Sequence, residues 1–401
     1  MSKAKKVVII LLSLLIVIVI ACGIVFYPIP FDYDLGSISA IPSDVRLLSA
    51  NDPLNHSGSP ALAKIKDGAI SDDPFRILFL TDVHLCELQT PTRRTIERFV
   101  GWVQAEKPDL IILGGDTLNG LNDSVRVRQF RTLMDRFQIY WAPVLGNHEG
   151  DRAVLMTSRK KLVEIWSESP YCLMESDTKK TSDGKTVDGY GNYVLSILGS
   201  DGLATNAFFF LDNGSKVTDE AECKKWNVKK KADTAISLAQ VQWYQETYAA
   251  MKEKNGGALT HMCVIHKPLQ ELGAAVEITG KIDYGVPTEW HFTEEAESAG
   301  WTLIDGTLRD KIHCPPYTDG KLYDALAENG AKAVFFGHDH VNDLTVKTPD
   351  GIYLTYIRLT TVSENIPDAE GYNVLTIRAN GSYDYRAYRP DGTEDALLFS
   401  A

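Results

Sequence analysis

The sequence predicts an α/β protein, a four-layer α/β/β/α sandwich of two mixed sheets flanked by helices and preceded by one N-terminal transmembrane helix. Between residues 75 and 169, short apolar runs alternate with segments of helical periodicity. From residue 193 onwards, strand-like segments dominate. Alternating βα units followed by β-rich stretches are typical of two packed sheets with helices outside. A charge-free apolar stretch at residues 7–26 predicts the membrane helix.

The apolar stretch from Val7 to Phe26 contains 20 residues. At 1.5 Å per residue, a helix of this length spans the roughly 30 Å hydrocarbon core of a bilayer. Lysines precede the stretch, and the positive flank of a span stays in the cytoplasm. Residues 1–27 are therefore predicted to be a cytoplasmic basic stub and a transmembrane anchor, with the catalytic part extracytoplasmic. A cleaved signal peptide or lipidation at Cys22 remains an alternative, and either would also export the rest of the chain.

Charge and cysteine usage exclude two classes of protein. The formal net charge of the 401 residues is −12, and such a surface repels a nucleic-acid backbone, so no nucleic-acid partner is expected. None of the six cysteines stands in a Cys-x-x-Cys pair, which argues against a zinc knuckle or a thioredoxin-like motif. The oligomeric state stays open.

The chain after the anchor divides into a tether and one domain. Residues 28–74 are rich in Pro, Ser, Asp and Asn and have little periodicity, which predicts an extracytoplasmic tether with at most one short strand. Residues 75–401 form the domain. Within it, residues 270–320 have no clear period, and since so long a loop is usually functional, they are interpreted as a substrate-side flap.

Apolar runs and helical stripes place the remaining elements of the domain. Strands are predicted at Phe75–Leu80, Leu110–Leu113, Tyr140–Leu145, Tyr193–Leu198, Ala207–Leu211, Leu259–Ile265, Ala333–Phe336, Ile352–Ile357, Tyr372–Arg378 and, as the last strand, Tyr383–Tyr388. Helices are predicted at Arg93–Lys107, Ser124–Gln138, Val154–Ser169, Ala239–Lys254 and Leu322–Asn329.

Side chains that commonly bind metals follow five of the predicted strands. The five segments are Thr81-Asp-Val-His84, Gly115-Asp116, Gly146-Asn-His-Glu149, His266 and Gly337-His-Asp-His340. Because ligands gather at the carboxyl ends of strands in α/β sheets, these segments are expected to converge on one site. Two cations about 3.5–4 Å apart need an anionic group between them, and Asp116 is the candidate. Imidazole and carboxylate ligands suit zinc, iron or manganese.

These five motifs, in this order, resemble those of the calcineurin-like metallophosphoesterases, and the wider layout is similar to their purple-acid-phosphatase-like, non-purple branch. The resemblance implies that one set of ligands holds a first metal ion and another set holds a second, with Asp116 bridging the two. The first set is Asp82, His84 and His340, and the second set is Asn147, His266 and His338. Asn119 stands where purple members carry a tyrosine, so a tyrosinate–iron centre is not expected.

The resemblance also implies a mechanism. A hydroxide that bridges two divalent or trivalent ions (Mn, Fe or Zn) attacks the phosphorus, His148 acts as the general acid that protonates the leaving oxygen, and Glu149 orients His148. Histidine suits the acid role because its ordinary pKa lies near neutrality. The expected protein is an exported, membrane-anchored hydrolase whose partner is a phosphomonoester or phosphodiester substrate. The competing hypothesis is a catalytically silent ectodomain that binds a phosphorylated ligand or a cell-wall component.

Three further residues are interpreted as structural rather than catalytic. His261 opens a strand and is expected to be a structural partner, and His313 is expected at the surface. Asp339, between the two histidines of the last motif, is expected to face away from the metals. Substrate identity and the metal pair stay open.

Overall fold

The computed structural model describes residues 12–14, 30–86, 88–119, 124–149, 157–217, 220–257, 259–316 and 321–401. In this part of the chain, strands form two large mixed sheets and a two-stranded ribbon, accompanied by helices. The predicted mixed α/β class with two large sheets is thus confirmed. The four-layer order remains a prediction.

The strands, in chain order, are β1 (Val45–Leu48), β2 (Ala61–Lys66), β3 (Ala69–Ile70), β4 (Phe75–Leu80), β5 (Leu110–Leu113), β6 (Tyr140–Pro143), β7 (Tyr193–Leu198), β8 (Ala204–Phe210), β9 (Thr260–Val264), β10 (Val276–Ile278), β11 (Trp290–Phe292), β12 (Thr302–Asp305), β13 (Ala333–Phe336), β14 (Thr345–Lys347), β15 (Tyr353–Tyr356), β16 (Tyr372–Ile377), β17 (Tyr383–Tyr388) and β18 (Glu394–Ser400). The α-helices are α1 (Gln89–Glu106), α2 (Ser124–Phe137), α3 (Arg159–Trp166), α4 (Glu220–Trp226), α5 (Leu238–Lys254), α6 (Gln270–Ala275), α7 (Glu294–Ala299) and α8 (Leu322–Glu328).

Each large sheet has a parallel centre. The six-stranded sheet has the order β18-β17-β16-β4-β5-β6, in which β4, β5 and β6 run parallel. The ten-stranded sheet has the order β1-β2-β7-β8-β9-β13-β15-β14-β12, with β3 paired to β2, and β8, β9, β13 and β15 run parallel. Every residue of β5 and of β13 is buried, which explains why these strands are continuous apolar runs.

The two large sheets face each other across a core of aromatic and aliphatic side chains. Phe79 of β4 and Phe335 of β13 are both fully buried, and their ring centroids lie 4.6 Å apart. Full burial of a phenylalanine side chain contributes about 1.5–3 kcal/mol. Helix α5 packs on the opposite face of the ten-stranded sheet, where Tyr244 meets Phe209 edge to face at 4.9 Å. The facing sheets bring the ends of β4, β5 and β6 close to the ends of β9 and β13.

The secondary structure predicted for residues 28–74 is wrong for its second half. Strands β1, β2 and β3 lie in this segment, where at most one short strand was expected. Ala61 of β2 pairs in parallel with Ser196 of β7, so the segment extends the ten-stranded sheet. These strands are short and separated by polar turns; β1 and β3 pair with β2, and only β2 pairs with a distant part of the chain. Periodicity within the segment therefore gave little signal.

Residues 270–320 are also more regular than predicted. They contain α6, β10, β11, α7 and β12 within their described part, and β12 pairs with β14 at the edge of the ten-stranded sheet. Each of these elements has only three to six residues, which is too few for a period to be recognised.

Smaller differences concern the ends of elements and two strands that sequence reasoning missed. Helix α1 begins at Gln89 rather than Arg93, and α3 begins at Arg159, capped by the Ser158 side chain, rather than at Val154, which lies outside the described residues. β14 and β18 were not predicted, and β18 follows Tyr383–Tyr388 as the last strand. Two register irregularities in the pairing of β17 with β18 break the alternation that would mark it.

The predicted membrane span over residues 7–26 lies outside the described residues, apart from residues 12–14, which are helical. In the described part of the chain, no helix combines the length and the apolar character needed to cross a bilayer.

Candidate metal centre

The first group of predicted ligands is assembled from the loops after β4 and β13. The Nε2 atom of His84 lies 3.5 Å from Oδ1 of Asp82, and Nε2 of His340 lies 3.4 Å from the same oxygen. Ligand atoms of these three residues all lie within 4.8 Å of one another, which is close enough to hold one metal ion. The backbone N–H of His338 donates a hydrogen bond to Asp82 Oδ2 at 3.0 Å. This bond joins the two sequence motifs that supply the group, although its two residues are 256 positions apart in the chain.

The second group comes from the loops after β5, β6, β9 and β13. Asp116, His266 and His338 place ligand atoms within 4.8 Å of one another. The Oδ1 atom of Asn147 lies 3.2 Å from Nε2 of His266, so the amide adjoins this group. All seven predicted metal ligands are therefore brought together in two neighbouring groups.

Asp116 lies between the two groups. Its Oδ2 atom is 3.2 Å from Nε2 of His266 in the second group and 3.6 Å from Nε2 of His84 in the first. Its other oxygen, Oδ1, accepts a hydrogen bond from the backbone N–H of His148 at 2.7 Å. One carboxylate oxygen thus adjoins the histidines of both groups, as a bridging ligand requires.

Buried atoms without partners indicate that the residues fit metal ions. Within the described part of the chain, Asp82 Oδ1, His84 Nε2 and Asp116 Oδ2 are buried and have no hydrogen-bond partner. A buried polar atom left in this state costs about 1–3 kcal/mol. All three atoms face the interior of the two groups, where cations would satisfy them. Imidazole and carboxylate donors suit zinc, manganese or iron.

The electrostatics of the groups favour positive charge. Burial alone would raise the pKa of the Asp116 carboxyl, but the nearby His266 holds it well below its usual range. Burial would likewise lower the pKa of His266, yet the Asp116 charge outweighs it and raises that pKa to about 9. The pKa of His338, in contrast, is lowered to about 4 by burial and by the charge of His266. Buried carboxylates that draw protons onto their neighbours are equally suited to bind metal cations, with release of those protons.

Hydrogen bonds to the outer ring nitrogens orient the ligand histidines. His266 donates from Nδ1 to the carbonyl oxygen of Gly114 at 2.8 Å, and His340 donates from Nδ1 to Glu364 Oε1 at 3.1 Å. The side-chain amide of Asn119 lies 2.8 Å from Nδ1 of His84. In His266 and His340 the protonated Nδ1 leaves Nε2 free to face a carboxylate, which is the usual arrangement around a bound metal. Sequence reasoning missed Glu364, because nothing near it in the chain marks it.

Four of the predicted ligands have a left-handed backbone. The φ angles of Asp82, His84, Asp116 and His338 lie between 47° and 76°. Non-glycine residues rarely adopt this conformation, which costs about 1–3 kcal/mol each and tends to occur at functional sites. The loops after β4, β5 and β13 are thus bent to aim these side chains inward.

Gly146 leaves room for the Asp116 carboxylate. A methyl group at this position would lie 2.1 Å from Asp116 Oδ1, far closer than any van der Waals contact. We therefore expect Gly146→Ala to displace Asp116 and to weaken the binding of both ions about tenfold or more, measured as bound metal per chain. Gly101→Ala is the matched control, since Gly101 lies exposed in α1 with no atom within 4 Å of the added methyl. Equal metal content in both variants would contradict the role assigned to Asp116.

The structure places His148 at the rim of the centre and Glu149 beneath it. The ring centroid of His148 lies 5.4 Å from that of His84, and its Nε2 is 3.8 Å from Asp116 Oδ2. The fully buried Glu149 carboxylate accepts hydrogen bonds from the backbone N–H groups of Asp116, Leu118 and Gly146. Glu149 was expected to orient His148. These bonds fix the loop after β5 to the loop that carries His148.

Asp339, which belongs to the last motif, is hydrogen-bonded to His313, a residue that the sequence analysis expected at the surface. Its buried carboxylate accepts hydrogen bonds from Nδ1 of His313 (2.7 Å) and from the hydroxyl of Tyr356 (2.5 Å). The half-exposed ring of His313 lies 6.4 Å from that of His338, centroid to centroid, so it stands beside the second group. His261, as expected, is buried and hydrogen-bonded to Tyr244 at 2.7 Å.

Replacing Asp339 by Asn should test this connection. An amide has one acceptor oxygen where the carboxylate has two, and its NH₂ group would face the donors of His313 and Tyr356. We expect Asp339→Asn to lower the free energy of unfolding by about 1–3 kcal/mol, measured by urea titration, with two ions still bound per chain. A variant as stable as the wild type would show that these hydrogen bonds contribute nothing.

Fold and site together define a dinuclear metal-binding α/β protein whose ligands come from the strand ends of two facing sheets. The chain belongs to the calcineurin-like phosphoesterases, a family that matches residues 75–342. This confirms the resemblance that the five motifs carried.

Curated relatives of the chain include plant proteins named as purple acid phosphatases. The chain is 25% identical over 316 residues to "Probable inactive purple acid phosphatase 28" of Arabidopsis thaliana, covering 71% of this chain and 70% of the relative. It is 24% identical over 318 residues to "Probable inactive purple acid phosphatase 14" of the same plant, with the same coverage. The crystal structure of a dimetal phosphatase from Danio rerio shares the fold, with a TM-score of 0.51 at 13% identity over 82% of this chain and 100% of that one.

Proposed function

We propose that the protein is an exported, membrane-anchored phosphoesterase with a dinuclear metal centre, which hydrolyses phosphomonoesters or phosphodiesters on a four-layer α/β/β/α sandwich. The observation that carries the proposal is the position of Asp116 between two complete ligand groups. Two divalent or trivalent ions of manganese, iron or zinc fit these residues. A site of this kind is suited to an anionic ester, since its ions would face a phosphoryl group.

The residues of the chain divide the chemistry among them. Bound ions would polarise the phosphoryl oxygens and lower the pKa of an attacking water. His148, held by its backbone bond to Asp116, places its ring at the rim, where it protonates the leaving oxygen as general acid. Glu149 holds the loop that carries Asp116 against the loop that carries His148, through hydrogen bonds to their backbone N–H groups. The left-handed bends at Asp82 and His84 set their side chains before any substrate arrives.

The competing hypothesis is a silent domain that binds a phosphorylated ligand without cleaving it. The names of the two Arabidopsis relatives describe those proteins as inactive, which raises this possibility for the present chain. Against it, all seven predicted ligands are present and assembled. A protein that has lost catalysis usually lacks one or more ligands, so we favour hydrolysis.

Hydrolysis of p-nitrophenyl phosphate and of its bis-ester by the purified full chain decides between the two. The chain should be loaded with Mn²⁺ or Zn²⁺ and the metal content measured in the same sample. We expect release of p-nitrophenol from at least one ester, abolished by a chelator and restored by metal. A folded chain that carries two ions and cleaves neither ester would refute hydrolysis and favour the binding hypothesis.

The location of the protein forms the second part of the proposal. Residues 1–27 would be a cytoplasmic basic stub and anchor. Residues 28–74 would be an extracytoplasmic segment whose strands β1–β3 extend the ten-stranded sheet, and residues 75–401 would form the rest of the catalytic domain, with 270–320 on the substrate side. The 20 uncharged residues at 7–26 and the lysines before them support this orientation. Protease should digest the domain in cells whose cytoplasmic membrane is intact, once any layer outside that membrane has been made permeable to the protease. A domain protected until the cytoplasmic membrane is lysed would contradict the proposed topology.

A further inference from the structure

Glu364 contacts both a predicted metal ligand and a distant hairpin. One of its carboxylate oxygens, Oε1, accepts a hydrogen bond from Nδ1 of His340 at 3.1 Å. The other, Oε2, accepts one from the hydroxyl of Tyr284 at 3.1 Å. The two partners lie 24 and 80 residues away along the chain, so Glu364 joins segments that only the fold brings together.

The bond to His340 determines which nitrogen of that ring can bind a metal ion. Nε2 of His340 faces Asp82 Oδ1 at 3.4 Å, inside the first ligand group. Nδ1 therefore carries the hydrogen, and this N–H donates the hydrogen bond to Glu364. A carboxylate in this position fixes the tautomer and the orientation of a ligand imidazole and increases its basicity.

The bond to Tyr284 connects the same carboxylate to the ribbon of β10 and β11. These strands pair antiparallel, and Tyr284 lies in the loop between them. Next to it, Gly285 has a φ of 84° and approaches Ile366 so closely that a methyl group there would lie 2.9 Å from Ile366 Cδ1. The loop thus contacts the segment around Glu364 through a hydrogen bond and through close packing.

The segment that carries Glu364 is itself fixed to the first ligand loop. The backbone N–H of Thr361 donates to the carbonyl oxygen of Asp82 at 3.2 Å, and that of Thr360 donates to Thr81 at 3.1 Å. The ribbon loop, the Glu364 segment and the loop of Asp82 therefore form one connected set of contacts. Displacement of the ribbon loop would act on His340 through Glu364.

We propose that Glu364 is a positioning residue for the first metal ion and that Tyr284 couples the loop between β10 and β11 to it. Docking of this loop then sets how tightly Asp82, His84 and His340 hold their ion. The inference deepens the proposed function, because it assumes the same metal centre, but it concerns metal affinity rather than hydrolysis. The tip of the loop is exposed at Tyr284 and Val286.

Titration of the metal-free full chain with Mn²⁺, followed as bound metal per chain, tests the proposal. We expect Glu364→Ala to weaken one of the two binding steps by about 10- to 100-fold and to leave the other unchanged. Glu364→Gln keeps an acceptor oxygen for His340, so its loss should be smaller. Tyr284→Phe should weaken the same step by about three- to tenfold. In the Glu364→Ala background, Tyr284→Phe should have no further effect, because Tyr284 acts through Glu364.

A matched pair elsewhere in the chain supplies the control. Tyr323 donates from its hydroxyl to Asp350 at 2.6 Å, beyond the end of the strand pair β13–β15 that lies away from the centre. Tyr323→Phe and Asp350→Asn should leave both binding steps unchanged.

Unaltered affinity for both ions in folded Glu364→Ala would overturn the proposal. Equal weakening of both steps with a lower unfolding temperature would also overturn it, since that pattern indicates a structural role only. If the wild type binds two ions but cleaves no ester, the proposed function fails while this inference stands.

Discussion

Asp116→Asn is expected to lose at least one of the two metal ions and to lower the rate of ester hydrolysis by about a thousandfold or more. The carboxylate is the anionic group that adjoins both ligand sets, with Oδ2 at 3.2 Å from His266 and 3.6 Å from His84. An amide has no charge, so two cations would repel each other without compensation. Metal ions supply several kcal/mol of transition-state stabilisation, and each 1.36 kcal/mol is a factor of ten in rate.

Metal analysis and rate should be measured on the same preparation, with Asp109→Asn as control. Asp109 is a buried aspartate that precedes β5, whereas Asp116 follows β5. The carboxylate of Asp109 accepts hydrogen bonds from the backbone N–H of Arg76 (2.7 Å) and from the side chain of Lys64 (3.0 Å). The control should lower the free energy of unfolding but retain both ions. Two ions per chain in Asp116→Asn would refute the bridging role, whatever the rate.

The sequence was sufficient to predict that the candidate ligands converge, because the pattern that marks each of them is local. Each ligand stands one to four residues beyond a buried apolar run, as Asp82 follows β4 and His338 follows β13. Glycines beside them, such as Gly146, are required by space, since a side chain there would enter the centre. Patterns of this kind can be read without knowledge of the fold, and the rule that ligands gather at strand ends then predicts convergence.

What the sequence could not reveal depends on contacts between distant residues. Glu364 and Tyr284 lie in stretches without a motif, and only the fold places Glu364 beside His340 and Tyr284 beside Glu364. Strand β2 was taken for part of a tether because β7, the strand that joins it to the rest of the sheet, lies more than 100 residues further along the chain. In the same way, the hydrogen bonds of Glu149 to the backbone amides of Asp116, Leu118 and Gly146 could not be read from the sequence, because they join separate loops.

His148→Asn is expected to lower turnover by about 10²- to 10⁴-fold with both metal ions retained. The backbone N–H of His148 holds Asp116 Oδ1 at 2.7 Å, and this bond survives the substitution. The imidazole itself is partly exposed at the rim, and in the proposed mechanism it contributes the proton. His56→Asn serves as control, because His56 is exposed and its Nδ1 bonds to the carbonyl oxygen of Asp201.

The size of the loss should depend on the leaving group, which separates proton donation from mere positioning. An alkyl phosphate expels a strongly basic alkoxide and needs the proton of His148, whereas p-nitrophenyl phosphate expels a stabilised phenolate and needs it far less. We therefore expect a much larger loss of turnover in His148→Asn with the alkyl ester. An equal loss on both esters would mean that His148 positions the phosphate rather than protonating the leaving oxygen. A rate near that of the wild type on both would remove His148 from the mechanism.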